Sequence, residues 1–150
     1  MATEVIIDAD SHLTEPADVW TSRVPAKYRE VVPRVVRQGT ADVWVLGDER
    51  LAPVGVTAPA GWPTFPPEYP QTYEDCHPGA YDAQARLRYM DEAAIWAQVL
   101  YPNVGGFGNQ NFLKVEDAAL RIACVEIYND WMSDLQQRSG GRILPMALVP

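Results

Sequence analysis

Two carboxylates and an imidazole sit within five residues of one another. They are Asp8, Asp10 and His12 in Val5-Ile6-Ile7-Asp8-Ala9-Asp10-Ser11-His12, which continues as Leu13-Thr14-Glu15-Pro16. A carboxylate oxygen and a neutral imidazole nitrogen are donors that suit zinc and its first-row neighbours. Side chains alternate faces along a strand, so Asp8, Asp10 and His12 leave on one side if extended geometry persists through them. Asp10 and His12 then grip one ion together as half a site, since a catalytic zinc takes about three protein ligands and keeps a position open for water. A second reading stays open, in which Asp10-Ser11-His12 turns the chain, Thr14 caps a helical turn and Pro16 takes its first helical position. Glu15 also has two readings: a partner that orients His12 through its other ring nitrogen, with Asp8 in the same supporting role, or a first-turn acid favoured by a helix dipole.

The elements that must position these groups are read from periodicity. Val5-Ile6-Ile7 is a β-branched run with the composition of a buried strand, a rigid mounting for the acids and the imidazole after it. Glu15 to Val24 reads as a short helical turn that folds Val19 and Trp20 back onto the domain. Arg34-Val35-Val36-Arg37-Gln38 and Asp42-Val43-Trp44-Val45-Leu46 alternate around Gly39-Thr40-Ala41, which is hairpin patterning, and Leu51 to Pro53 is a candidate third strand. Between Pro53 and Pro78, prolines interleave with Trp62, Phe65, Tyr69 and Tyr73, so regular structure is excluded over most of the segment. So many aromatics imply a segment folded over the domain, as a lid on a site, a subunit contact or an irregular cover on an apolar flank.

Asp82 is placed to cap a helix over Ala83 to Ala94, in which Ala83, Leu87, Met90 and Ala94 recur at helical spacing. Ile95 to Tyr101 is then a strand, completing a right-handed β-α-β unit in a parallel sheet. Tyr101, Asn103 and Phe107 lie where the chain leaves that strand and are candidate substrate contacts. The glycines of Val104 to Asn111 match neither Gly-x-Gly-x-x-Gly nor a P-loop. Glu116 to Arg138 is the longest helix, with Leu120, Cys124, Ile127, Tyr128, Trp131 and Leu135 on one core stripe. Gly140-Gly141 ends it, and Ile143 to Pro150 reads as a third buried strand. Cys76 and Cys124 predict no disulfide. Cys76-His77 has no CxxC or HxxxH partner to make a metal motif.

The run Ile7-Asp8-Ala9-Asp10-Ser11-His12-Leu13-Thr14-Glu15-Pro16 resembles the opening of amidohydrolase-related proteins, the branch of the amidohydrolase superfamily that includes aminocarboxymuconate-semialdehyde decarboxylase-like enzymes. Asp82 to Glu92 with Ala97-Gln98-Val99-Leu100-Tyr101-Pro102 is similar to the family's first helix and second strand. Tyr128-Asn129-Asp130-Trp131 and Arg142 to Pro150 resemble its second helix and third strand. The likeness spans the chain except for an insertion over about residues 25–79. It implies an α/β fold, the N-terminal part of a (β/α)8 TIM barrel of about three βα steps, with a β-hairpin and a Pro- and aromatic-rich loop inserted after the first strand. It also implies a divalent metal held at the barrel's C-terminal mouth by a pair from the first strand, with Asp10 in the first place and His12 in the second. Zinc is the expected ion and manganese the alternative.

A complete barrel of this kind takes about 250 residues, and the chain has 150. The family's histidines from middle strands and aspartate from the last strand have no counterpart here. The expectation over residues 1–150 is therefore a partial barrel domain: an N-terminal fragment of a hydrolase or nonoxidative decarboxylase of a small carboxylic acid, with little turnover alone. The alternative is a non-catalytic piece or split-barrel half that binds a complementing chain or a second copy. A hydrophobic share of 47%, a net charge of −8 and a pI near 4.6 point to a globular protein that does not bind nucleic acid or an anionic membrane. No apolar run spans a bilayer and no basic leader opens the chain, so the expected location is the cytoplasm.

Overall fold

The computed structural model describes residues 5–60, 62–64, 68–106 and 109–149. Its regular elements are β1 (Ile6–His12), β2 (Arg34–Gln38), β3 (Ala41–Leu46), β4 (Glu49–Pro53), α1 (Ala83–Glu92), β5 (Ile95–Tyr101), α2 (Ala118–Arg138) and β6 (Ile143–Pro145). They form two three-stranded sheets. One runs β1-β5-β6 with both pairs parallel, and the other runs β2-β3-β4 with both pairs antiparallel.

In the parallel sheet, α1 connects to β5 and α2 links β5 to β6, so the strands run side by side and their C-terminal ends share one edge. Both helices cover the same face. Leu100 of β5 and Ile143 of β6 are fully buried in a cluster with Met90 of α1 and with Cys124, Tyr128 and Leu135 of α2. Asp82 caps α1 by accepting from the Ala85 amide at 2.8 Å. The helix stops at Glu92, two residues short of the predicted end, because Ala94 adopts φ 56° to turn into β5. At α2, Asp117 accepts from the Ala119 and Leu120 amides. This cap sets the helix start at Ala118, two residues after the predicted one. Beyond Pro145 regular pairing lapses, yet the Met146 amide still reaches Leu100 O, and Asn129 both donates to and accepts from the Leu148 backbone.

One expectation fails at the start of the chain. Val5, Ile6 and Ile7 are exposed (62, 48 and 57%). β1 is an edge strand, so it has a partner on one side only. Strand pairing registers Ile7 with Ala97, Leu144 with Val99 and His12 with Tyr101, and registered side chains share a face in a parallel ladder. That face is opposite the helices, and Ile7 and Leu144 lie open on it.

The antiparallel sheet docks through tryptophans. Trp20, fully buried in the turns after β1, meets Trp44 of β3 edge-on at 5.7 Å and Phe112 at 5.8 Å. Its indole N–H donates to Cys124 O in α2 at 2.9 Å. Buried rings in this arrangement add to the burial of their area. Asp42 ties the Pro-rich segment to the hairpin: its carboxylate accepts from Arg37 at 2.6 Å and from the Tyr73 amide at 3.0 Å. Gly55 lets the segment fold tightly, since a Cβ there would overlap the Pro70 carbonyl oxygen. Phe65 falls outside the described residues.

Trp20 thus joins β3, α2 and the segment after β1. Trp20→Ala is expected to lower stability by about 3 to 5 kcal/mol, with Trp20→Phe intermediate because it keeps a ring and loses the N–H donor. Urea denaturation of the three proteins measures this, and a loss under about 1 kcal/mol for Trp20→Ala would show that the hairpin sheet docks without it.

Candidate metal centre

Between Asp8 and Ser11, β1 carries one residue more than β5 does between their partners. Asp8 registers with Gln98 and Ser11 with Leu100, so three steps along β1 oppose two along β5. This is a β-bulge, and it changes the parity of everything after it. Asp8 and Ser11 take the helix-covered face with Gln98 and Leu100, whereas His12 takes the open face with Tyr101. Uninterrupted alternation would have put Asp8, Asp10 and His12 together. Asp10 lies inside the bulge, its amide held by Asp8 Oδ1 at 3.2 Å.

The bulge nevertheless brings Asp10 and His12 toward each other. Asp10 Oδ1 stands 3.9 Å from His12 Nε2; the Asp10 side chain is 85% exposed and that of His12 27%. Both border a cavity of about 540 Å³ beside β1, together with Asp8, Arg86, Gln98 and Trp62. The far wall comes from the Pro-rich segment, where Ala58 packs on Cys76 and Ala80 and Thr57 and Thr64 also face the cavity. That segment therefore lies against the two donors. The His12 and Tyr101 rings are 6.0 Å apart.

The donor set can be tested against an ion. Two donors bonded at roughly 2.1 Å and 3.9 Å apart subtend about 135°, and a tetrahedral angle needs about 3.4 Å between them. A closure of roughly half an ångström, within reach of the exposed Asp10 side chain, brings the pair to that geometry. The donor types suit a divalent metal, and the spacing as it stands is about half an ångström too wide for a tetrahedral pair,. No group of three or more His, Cys, Asp or Glu side chains suited to hold a metal occurs among the described residues, so the arrangement amounts to two donors.

Beneath the pair lies a polar network that sequence reasoning missed. Arg86, 2% exposed, donates from Nε to Gln98 Oε1 at 2.7 Å, from Nη2 to Ser11 Oγ at 2.6 Å and to His12 O at 3.1 Å, and from Nη1 to Gly79 O at 3.2 Å. Gln98, also buried, donates from Nε2 to Asp8 Oδ2 at 2.8 Å. Burial pulls the Arg86 guanidinium below its usual range, while Tyr89 and Asp8 oppose that shift. Two signals in the chain could have flagged it. Arg86 interrupts the apolar stripe of α1 between Ala83 and Met90, and Gln98 is the one polar side chain within Ile95 to Leu100.

Glu15 is buried at the C-terminal edge of the sheet. Its Oε1 accepts from the Asn103 and Val104 amides, both at 3.2 Å, and its Oε2 has no partner among the described residues. Its hydrogen bonds thus tie the end of β1 to the loop after β5 and do not run to His12. The Asn103 side-chain amide donates to Leu13 O, and Asn103 borders a different cavity, with Trp44 and Lys114. Phe107 lies outside the described residues. His77 Nδ1 accepts from the Gly79 amide at 3.0 Å, which engages that ring locally. Cys76 and Cys124 are free and buried, and burial pushes their thiols up to about 11 and about 12.

Burial also pushes the Glu15 carboxyl up to about 7 from 4.5, against the pull of the hydrogen bonds it accepts. A raised folded-state value means that the folded chain holds the proton more tightly than the unfolded one. Stability from this group is therefore complete below about pH 4.5 and is lost as pH rises through about 7,. The loss amounts to on the order of 3 kcal/mol. Glu15→Gln keeps an acceptor for both amides and removes the titration. Urea unfolding at about pH 5 and about pH 8 should show a decline in the wild-type chain that the variant lacks; equal pH slopes for the two proteins would rule out Glu15 as the cause.

No family model matches the chain, and no curated protein matches it significantly. Among solved structures it is similar to a crystal structure of an amidohydrolase from Mycobacterium avium subsp. paratuberculosis K-10, with a TM-score of 0.67 and 22% sequence identity. The match covers 99% of this chain and 43% of that one, so the chain spans less than half the length of the protein it resembles. At this identity the likeness is one of fold: the chain shares the α/β fold of the part of that structure it covers. Among the described residues, no helix is long and apolar enough to cross a membrane.

Proposed function

We propose that β1, β5 and β6, with α1 and α2 between them, are the first three strands of a (β/α)8 barrel. On this reading the chain supplies two donors of a divalent metal centre in an enzyme of the amidohydrolase-related, decarboxylase-like branch. The observation that carries the reading is the 3.9 Å approach of Asp10 Oδ1 and His12 Nε2 where the leading strand emerges at the C-terminal edge of a parallel sheet. Active sites of such barrels gather at that edge. The similar fold of the mycobacterial amidohydrolase supports the same placement.

Each neighbouring residue then has a task. Asp10 and His12 hold the ion, zinc by donor preference, with manganese the alternative for a site rich in carboxylate. When bound, the metal supplies a charge that acidifies water or steadies the oxygens of a small carboxylic acid as its bond breaks. Tyr101, on the His12 face, and Trp62, across the cavity, shape the substrate side and exclude water. Asn103 steadies the chain beneath the site through Leu13 O. The further donors and the general base belong to polypeptide equivalent to the part of the mycobacterial protein that this chain does not cover. The isolated chain is expected to bind metal weakly and to turn over little. Whether the reaction is hydrolysis or nonoxidative decarboxylation is a property of those later residues.

A second reading rests on the open face of the sheet, where Ile7 and Leu144 are exposed near Met146. Parallel sheets are normally covered on both faces. On this reading the chain is a split-barrel half or a non-catalytic piece that docks a complementing chain or a second copy there.

Calorimetric titration of the full chain with zinc or manganese tests the first reading. Asp10→Ala and His12→Ala are each expected to weaken binding at least about tenfold, which is about 1.4 kcal/mol. Undiminished affinity in the double variant would place the metal elsewhere and leave the docking reading standing.

A further inference from the structure

We propose that Arg86 is the positioning residue that sets which face of the sheet His12 occupies, by latching the bulge in β1. The proposal rests on the reading of Asp10 and His12 as metal donors for its consequence, and on the hydrogen-bond geometry alone for its mechanism.

The bulge decides the site. Were β1 to pair without an extra residue after Asp8, Asp10 would register with Leu100 and Ser11 with Tyr101, reversing the assignment seen here,. His12 would then leave on the side of Asp8 and Gln98, against the helices, and its approach to Tyr101 would be lost. Nothing in the local composition of Ala9-Asp10-Ser11 demands a bulge; no glycine or proline stands there. Tertiary contacts must therefore hold it.

Those contacts converge on one guanidinium. Nη2 of Arg86 bonds Ser11 Oγ and His12 O, the two positions immediately after the extra residue, while Nε bonds Gln98, which in turn bonds Asp8 just before it. Gln98 Nε2 lies 3.3 Å from Ser11 Oγ as well. Both flanks of the bulge are thus tied to the same buried pair of side chains. The Asp10 amide, which the bulge takes out of the ladder, is taken up by Asp8. A slip in register would turn Ser11 away from Arg86 and strand a buried charge short of its acceptors, an unfavourable change. Only the planar fork of arginine reaches Ser11, His12, Gln98 and Gly79 at once, so lysine is not an equivalent.

The test uses the full chain with two readouts. The first is the set of nuclear Overhauser contacts between the His12 and Tyr101 rings and along the β1–β5 ladder, which reports register with no metal present. The second is zinc affinity by calorimetry. Arg86→Met keeps the bulk and removes the fork; Ser11→Ala deletes only the hydroxyl that Arg86 grips and keeps the buried charge partnered elsewhere. Both variants should lose the His12–Tyr101 contacts and show about tenfold or weaker zinc binding, with Arg86→Lys failing to restore either. If Arg86→Met does not fold, Ser11→Ala decides. Ring contacts and affinity that persist in a folded Arg86→Met or in Ser11→Ala overturn the proposal. Lost ring contacts in a chain whose wild type binds no zinc would uphold the latch and remove the metal reading instead.

Discussion

A strand has a period of two, and one extra residue exchanges its faces; that constraint governs this molecule. β1 has to place Asp8 and Ser11 against a helix-covered interior and, one step later, put His12 on the opposite side. A regular strand cannot do both. The bulge does, and it survives because the interior beneath it is polar in a way that only this register satisfies. Arg86 is unfavourable to bury, and its position is tolerable because four acceptors meet its fork and Asp8 stands close enough to oppose the loss of hydration,. Local geometry, packing and the face presented by the candidate site are thus one arrangement viewed at three scales.

The rest of the chain holds that arrangement in place. Glu15 links the end of β1 to the loop after β5 through two amides, and the Thr14 amide reaches Ala80 O just before α1. Trp20 carries the connection outward to β3 and α2. The antiparallel sheet and the Pro-rich segment are consequently not an appendage. Trp44 and Leu46 of the antiparallel sheet share the buried cluster of the parallel sheet, and the Pro-rich segment ends against the same cavity as Asp10 and His12.

Much of the element order is legible in the sequence because it depends on short-range periodicity. The alternation of Arg34 to Leu46 corresponds to β2 and β3, and the stripe from Leu120 to Leu135 is the buried side of α2. The features that could not be read depend on partners distant in sequence. Val5-Ile6-Ile7 has the composition of a buried strand, but burial is decided by neighbours, and β1 has one strand beside it. The face of His12 depends on a bulge that the sequence does not announce, held by Arg86 from 74 positions away. Glu15 reads as a helix-start acid or as a partner for His12, and instead it is buried by a loop that lies 88 positions downstream. Asp10 and His12 stand out by residue type and spacing alone, since neither signal depends on long-range packing.

The open face and the two-donor site raise the same physical question. Ile7 and Leu144 expose apolar area on the side of the sheet where His12 and Tyr101 lie. Burying such area is worth roughly 25 cal/mol per Å², so any strand that packs over it gains stability from the contact. A barrel's interior is filled by inward side chains from other strands, and its catalytic groups come from the ends of those same strands. In the proposed reading, the element that covers Leu144 would thus also bring further donors toward Asp10 and His12. Apolar cover and metal coordination would be completed together, and neither would be complete without the other. In that reading the face opposite the helices, rather than the cavity wall of the Pro-rich segment, would be the side from which the remaining ligands approach.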